Sequence, residues 1–232
     1  MLNLILFGVF VLFLVAIQST GGKTIDEIVE RYIHAMGGVE KLDTIKTIYL
    51  EGLITMMGKT GLIKIYQTRE NTGGEKYLFK WKITDIAEHE YQTSESPFNT
   101  QLIENKIIEG LTQLSITAYL INYITDGSKV TLVGKEVVEE ITCNKITLST
   151  SAGVQINYWF NTNDGLLYQT SIKSNVNNST KPSAIQTKYA NYKMVQDVLL
   201  AHKIDIILVD TAISMEVNFN NIIINKPLEE NF

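Results

Sequence analysis

The spacing of apolar residues changes along the chain and divides it into a helical start and a long β region. Residues 2–17 form an apolar run without a charged residue. From Ile25 to Met36, apolar residues recur every three or four positions, which predicts an amphipathic helix. From Lys46 onward the period becomes two, which predicts β-strands.

The predicted helix has sequence signals at both ends. Thr24 and Glu27 have the spacing of a capping box, in which the threonine hydroxyl accepts from the amide three residues on and the glutamate reaches back. Gly37 and Gly38 predict its end, because glycine adopts the left-handed conformation without a Cβ clash. A short helical turn over residues 39–45 is expected to lead into the sheet.

Alternating apolar and polar residues predict nine or ten strands, and the spacing of those after Gly127 is typical of an antiparallel meander. Three strands precede residue 86. A turn over residues 57–61 is expected to separate the first from the second, which covers residues 62–69, and the third carries a heavy aromatic stripe. The strands predicted after Gly127 cover residues 129–138, 142–150, 154–161, 166–173, 183–195, 200–209 and 212–224. Short turns join them and no βαβ rhythm is present, so a single domain is expected.

Residues 86–122 interrupt the alternation. A polar stretch at residues 94–97 contains a proline and predicts a loop, and apolar residues from Leu102 to Leu114 then return near helical spacing. Gly110 destabilises this helix by roughly 1 kcal/mol relative to alanine, so the helix is expected to be short or bent. Residues 119–124 fit a helix or a strand equally well.

The predicted sheet is large for the helices available to cover it. A long antiparallel sheet curls because strand twist accumulates, and one or two helices would fill only part of its concave side. Residues 204–209 and 222–224 are nearly continuous apolar runs, unlike strands with one solvated face. The surplus apolar surface forms either a packed core or a ligand groove, and composition alone favours the core.

The N-terminal run predicts export. It is shorter than the about 20 apolar residues of a membrane-spanning helix, and small residues follow it, as in a signal peptide. We therefore expect a signal peptide over residues 1–22, or an uncleaved anchor, followed by one domain over residues 23–232. The net charge of −5 argues against nucleic-acid binding. The single cysteine, Cys143, excludes an internal disulfide and is expected to be a buried thiol.

No catalytic or metal-binding motif is complete in this sequence. His89 begins a zinc-protease-like string, but Thr93 stands where the second histidine is required. Glu136, Glu139 and Glu140 lie near a predicted turn and are interpreted as solvated hairpin charges rather than an acid–base pair. We expect no catalytic residue, no metal ion and no cofactor.

Several strings of residues resemble the LolA-like family, the exported outer-membrane lipoprotein-sorting proteins and their relatives. They are residues 24–29, 35–38, 40–42, 45–48 with 51–52, 127 with 130–136, 189–193, and 225–228 with the terminal Phe232. The resemblance spans roughly residues 24–232. It implies a mainly β (α+β) fold, in which a curved antiparallel sheet forms a half-open barrel covered by an N-terminal helix and a mid-chain helical lid.

The function that the resemblance implies is a periplasmic, non-enzymatic carrier of the acyl chains of lipoproteins or other lipids. Its partners would include membrane-bound donor and acceptor proteins. The alternative is a non-catalytic periplasmic interaction or sensor domain of the same fold without lipid cargo. Residues 89–100 depart from the family pattern, because they are polar and lack the strand with an Asp-Gly-containing turn that relatives carry before the lid.

Inward faces of the strands would supply the cavity wall of such a carrier. The candidate lining residues are Tyr77, Phe79, Trp81, Tyr158, Phe160, Met215, Val217 and Phe219. The candidate lid residues are Leu102, Ile103, Ile107 and Leu111. For each of these residues, membership of an ordinary core is the other interpretation.

Overall fold

Two short helices and ten strands make up the described part of the chain. The computed structural model describes residues 24–69, 79–88, 117, 120, 127–150, 153–174, 183–209 and 213–227, with only the backbone for 79–88, 174 and 183. No helix within these ranges is long and apolar enough to cross a membrane. The elements are α1 (Ile25–Ala35), α2 (Val39–Asp43), β1 (Thr47–Met56), β2 (Lys59–Arg69), β3 (Phe79–Glu88), β4 (Lys129–Val138), β5 (Ile141–Ser149), β6 (Gln155–Asn161), β7 (Leu167–Ser174), β8 (Ser183–Val195), β9 (Val198–Leu208) and β10 (Ile213–Ile224).

Helix α1 has both of the ends that its sequence predicts. The Glu27 amide donates to Thr24 Oγ1 at 3.2 Å, and the Thr24 amide donates to Glu27 Oε2 at 2.9 Å. Gly37 and Gly38 have φ values of +118° and +88°. These left-handed conformations let the Gly38 amide donate to the Ile33 carbonyl at 2.9 Å, which satisfies a carbonyl of the last turn.

The strands form one antiparallel sheet in the order β3-β2-β1-β10-β9-β8-β7-β6-β5-β4. All neighbours are consecutive in the chain except β1 and β10, whose pairing joins two meanders in the middle of the sheet. The edges are β3 and β4, so the connection over residues 89–128 runs from one edge to the other. Within it, Thr117 and Leu120 are helical and buried. This open, curved sheet with few helices confirms the predicted fold class.

One face of the sheet carries the core. Leu50 on β1 pairs with Ile65 on β2 and with Ile222 on β10, while Ile206 on β9 pairs with Met215 on β10. Residues that pair across strands share a face, so these buried side chains form one continuous apolar surface. We call it the inner face. The residues of α1 that are buried against it are Ile28, Val29, Tyr32 and Ile33.

Candidate functional site

The candidate site is the inner face beneath α1. Tyr32 of α1 lies over Phe160 of β6, with ring centroids 5.1 Å apart. Phe160 is stacked with Tyr158 of the same strand at 6.0 Å. All three side chains are fully buried. An aromatic contact therefore adds to the aliphatic residues through which the helix covers the inner face.

Five predicted lining residues have described side chains, and the structure brings all five to the inner face. Tyr158 and Phe160 lie on β6, and Met215, Val217 and Phe219 lie on β10. Their exposed fractions run from 0% to 4%. Contact of these residues with a ligand stays a prediction.

The other predicted site residues are less fully described. On β3, the backbone of Trp81 pairs with Gln67, and that of Phe79 pairs with Arg69. The residues outside the described ranges are Tyr77, Leu102, Ile103, Ile107 and Leu111. The predicted leader over residues 1–22 also lies outside them.

Helix α1 is attached to turns of the sheet at two points. Arg31 donates from Nη1 to the Thr162 carbonyl at 2.9 Å and from Nη2 to the Asn163 carbonyl at 2.6 Å, in the β6–β7 turn. At the other end of the helix, the Leu199 amide at the start of β9 donates to the Met36 carbonyl at 3.1 Å. The helix is thus a fixed cover over the middle strands. The sequence contains no motif that identifies this role of Arg31.

Replacing Arg31 by methionine tests this attachment. We expect the free energy of unfolding to fall by about 1–2 kcal/mol, because two charge-assisted hydrogen bonds at a half-buried site are lost while the apolar stem is kept. Urea unfolding followed by circular dichroism measures the change. The control is Lys41→Met, which removes an exposed ion pair with Asp197 and is expected to change stability by less than about 0.5 kcal/mol. Equal decreases in the free energy of unfolding of the two variants would contradict the attachment of α1 through Arg31.

The second arginine holds α2. Arg69, the last residue of β2, donates from Nη2 to Asp43 Oδ1 at 2.7 Å and from Nη1 to the Asp43 carbonyl at 2.5 Å. Asp43 is the last residue of α2, so the arginine also satisfies a carbonyl at a helix end. Both arginines of the chain therefore connect helices to the sheet.

A group of hydroxyls lies within the apolar inner face. Thr170 on β7 and Thr187 on β8 are cross-strand partners, and both are fully buried. The hydroxyl of Tyr189 lies 3.4 Å from Thr170 Oγ1. The hydroxyl of Tyr32 lies 2.7 Å from Oγ1 of Thr117, in the connection between the sheet edges. Burial raises the pKa of Tyr189, so its hydroxyl stays protonated at neutral pH.

The carboxylates near the β4–β5 turn pair with lysines. Glu136 Oε2 lies 2.9 Å from Lys145 Nζ. Glu139 accepts from Lys188 and from the Tyr168 hydroxyl, the latter at 2.8 Å. The lysine hydrogen bonds are the main cause that lowers the pKa of both carboxyl groups. A general acid at neutral pH needs a raised pKa, so these contacts favour the interpretation of hairpin charges.

Cys143 is a buried thiol in β5, as predicted. Burial raises its pKa to about 11. The thiol is therefore protonated at neutral pH and is a poor nucleophile. Within the described ranges, no three His, Cys, Asp or Glu side chains are grouped as the ligands of a metal ion would be.

Solved structures share this fold, whereas no family model and no curated protein matches the chain by sequence. A DUF1329 family protein from Desulfovibrio piger aligns with a TM-score of 0.53 and 10% identity, over 90% of this chain and 96% of its own. A structure from Vibrio parahaemolyticus, described as an outer membrane lipoprotein-sorting protein domain, aligns with a TM-score of 0.50 and 11% identity, over 88% and 96%. A LolA superfamily protein from Nitrosomonas europaea aligns with a TM-score of 0.48 and 10% identity, over 83% of this chain and 94% of its own.

The matches with the Desulfovibrio piger and Vibrio parahaemolyticus structures establish the fold of the chain. The first two cover nearly all of both chains, so the likeness includes the whole sheet and not one hairpin. The chain has a LolA-like fold, as the resemblance in its sequence implied. At identities of 10% and 11%, the likeness concerns architecture alone.

Proposed function

We propose that this protein is an exported, non-enzymatic carrier or binding protein that holds the acyl chains of lipoproteins or other lipids against its inner face. The periplasm is its proposed location. Support comes from the fold that the chain shares with a lipoprotein-sorting domain and from the apolar N-terminal run. Membrane-bound donor and acceptor proteins would be its partners during transfer.

The observation that carries this proposal is the size of the inner face relative to α1. Ten strands about 4.8 Å apart span about 43 Å from edge to edge. The eleven residues of α1 span only about 16 Å. A large part of the apolar inner face must therefore be covered by something other than α1. An acyl chain suits such a surface, because each buried methylene contributes about 0.8 kcal/mol.

The connection between the sheet edges supplies the proposed lid. Its Thr117 contacts Tyr32 of α1, so part of the connection lies beside the helix over the inner face. We assign the lid to the apolar residues that precede Thr117, namely Leu102, Ile103, Ile107 and Leu111. The cavity wall would comprise the five inner-face residues of β6 and β10 together with Tyr77, Phe79 and Trp81.

One observation favours a second candidate function. Tyr158, Phe160 and Val217 are each 0% exposed. Complete burial by protein atoms is what a filled core would produce. A filled core is all that a non-catalytic periplasmic interaction or sensor domain of the same fold would require on this face, because it has no lipid to hold.

Lipid binding is the property that separates the two functions. The protein is purified from the envelope of the expressing cells, extracted with organic solvent and analysed for acyl lipids by mass spectrometry. After removal of bound lipid, the neutral probe N-phenyl-1-naphthylamine is titrated by fluorescence. The carrier function predicts co-purified acyl lipid and saturable probe binding that acyl lipids displace. If neither is observed, the carrier function is wrong and the interaction domain remains.

A filling substitution locates the binding surface. Val217→Phe adds bulk to the inner face and is expected to weaken probe binding at least about tenfold, because the added ring occupies space that the probe needs. The control is Val209→Phe, which adds the same bulk at a residue that is 52% exposed and should leave probe binding unchanged. Thermal unfolding of both variants verifies that each is folded. Equal binding by the two variants would place the probe elsewhere.

A further inference from the structure

Two neighbouring threonine hydroxyls on the inner face lack good hydrogen-bond partners. Thr187 Oγ1 is buried and has no hydrogen-bond partner among the described residues. The contact of Thr170 Oγ1 with the Tyr189 hydroxyl is 3.4 Å long, whereas such bonds are typically 2.7–2.8 Å. Buried hydroxyls are usually well bonded, so two adjacent exceptions need an explanation.

The position of the pair connects it with the proposed cavity. Thr170 and Thr187 face each other on β7 and β8, near the middle of the sheet. On one side, Thr170 pairs with the predicted lining residue Tyr158 of β6. On the other side, Thr187 pairs with Ile206, which in turn pairs with the predicted lining residue Met215 of β10. The two hydroxyls therefore lie between the two described groups of lining residues.

The inner-face neighbours of the pair that the structure describes carry no formal charge. The adjacent row of inner-face residues is apolar and consists of Ile156, Ile172, Ile185 and Leu208. The row on the other side contains Ile204 and Tyr189. Burial raises the pKa of Tyr189, so its hydroxyl is neutral. A carboxylate or phosphate placed here would be a buried charge without a counter-ion among these described neighbours, which is costly. A neutral acceptor meets no such penalty.

We infer that the Thr170 and Thr187 hydroxyls bind the neutral carbonyl oxygen of an acyl ester or amide, with the acyl chain along the inner face. This inference rests on the proposed function and specifies its ligand. Threonine hydroxyls donate and a carbonyl oxygen has two lone pairs, so one oxygen can accept from both residues. Free fatty acids, as carboxylates, are disfavoured at this point.

The test compares ligands of similar length that differ only in their polar group. Methyl laurate, N-methyl lauramide, laurate and tridecane are titrated as competitors of N-phenyl-1-naphthylamine, with the wild-type protein and with the double variant Thr170→Val, Thr187→Val. Valine keeps the shape of threonine and removes its hydroxyl. We expect the affinity for the ester and the amide to fall about tenfold in the variant, while that for tridecane stays unchanged.

Two control variants separate hydroxyl chemistry from changes in packing. Thr131→Val, at an exposed position of β4, should leave the affinities for all four ligands unchanged. Thr187→Ser keeps a hydroxyl and should retain the affinity for ester and amide. If the double variant does not fold, the single variant Thr187→Val is used instead. Thr187→Ser is then its matched control, because it differs from Thr187→Val in keeping the hydroxyl.

The outcomes distinguish this inference from the proposed function. If the variant binds the ester, the amide and tridecane with wild-type affinities, the carbonyl site is wrong and the carrier function stands. A loss of affinity for laurate as large as that for the ester would also overturn the neutral-carbonyl assignment. If the wild-type protein binds none of the four ligands and carries no lipid, both proposals fall.

Discussion

Gly52→Ala is expected to lower the free energy of unfolding by about 3 kcal/mol or more. A Cβ atom added at Gly52 would lie 2.1 Å from the Asn218 carbonyl oxygen and 2.8 Å from the Cα of Phe219. Both are backbone atoms of the neighbouring strand and cannot rotate away. Overpacking of side chains costs about 1–3 kcal/mol, and a clash with backbone lies at or above the upper end of that range. Guanidinium unfolding followed by circular dichroism measures the loss.

The effect is large because of where Gly52 lies. It is on β1 at the bulge where the register with β10 shifts, between Glu51 and Gly52. The β1–β10 pair is the one that joins the two meanders of the sheet. Strands forced apart here would open the sheet in its middle and expose the inner face. We therefore expect Gly52→Ala to weaken probe binding as well as stability.

Gly58→Ala is the matched control for this prediction. Gly58 lies in the β1–β2 turn with φ +77°, and no atom lies within 4 Å of its added Cβ. Its replacement should cost only the about 1–2 kcal/mol of a left-handed non-glycine residue. A Gly52→Ala variant that is as stable as Gly58→Ala would show that β1 and β10 are not so closely apposed.

The strands after Gly127 could be predicted closely from the sequence. Residues 129–138 and 183–195 were predicted with the bounds of β4 and β8, and residues 142–150 differ by one residue at each end from β5. The ends of these strands can be predicted from the nearby sequence, because apolar and polar residues alternate strongly within them and turns rich in Gly and Asn separate them. The start of β2 was predicted less well. Lys59 and Thr60 look like turn residues but pair with Met56 and Thr55 in the ladder.

The order of strands could not be predicted in the same way. The β1–β10 pairing joins Leu50 to Ile222, and no local pattern marks two residues so far apart as partners. The contacts of Arg31 with the β6–β7 turn are equally non-local. The resemblance to a known family implied a half-open barrel covered by helices, but neither this pairing nor these contacts.

The apolar wall of the candidate site could be predicted from the alternation of its strands, whereas the pairing of its two threonines could not. A strict period of two along β7 places Leu167, Gln169 and Ser171 on one face. In the structure, the register shifts at the Trp159/Phe160 step of β6, where Leu167 pairs with Phe160 and Gln169 pairs with Trp159. The bulge thereby brings Leu167 to the inner face, whereas Thr170 shares that face with Ile172 by ordinary alternation. Alternation alone does not show that Thr170 and Thr187 are cross-strand partners, because that depends on the register of β7 and β8.

Phe160→Ala is expected to lower the free energy of unfolding by about 3–5 kcal/mol, the usual cost of deleting a fully buried aromatic ring. Phe160 is 0% exposed and contacts the rings of both Tyr32 and Tyr158. Its loss removes the aromatic contact between α1 and the sheet, so the helix and β6 should loosen together. Guanidinium unfolding measures the stability, and probe titration is performed on the same samples.

The comparison of Phe160→Ala with two further variants decides what Phe160 contributes. Val137→Ala removes an apolar group that is 66% exposed and should change stability by less than about 0.5 kcal/mol. Phe160→Leu keeps most of the buried volume and should cost less than the alanine variant. A loss below about 1 kcal/mol for Phe160→Ala would mean that the ring borders open space and is not packed on α1. In that case the attachment of α1 would depend on Arg31 and Met36, and β6 would form the wall of the cavity directly.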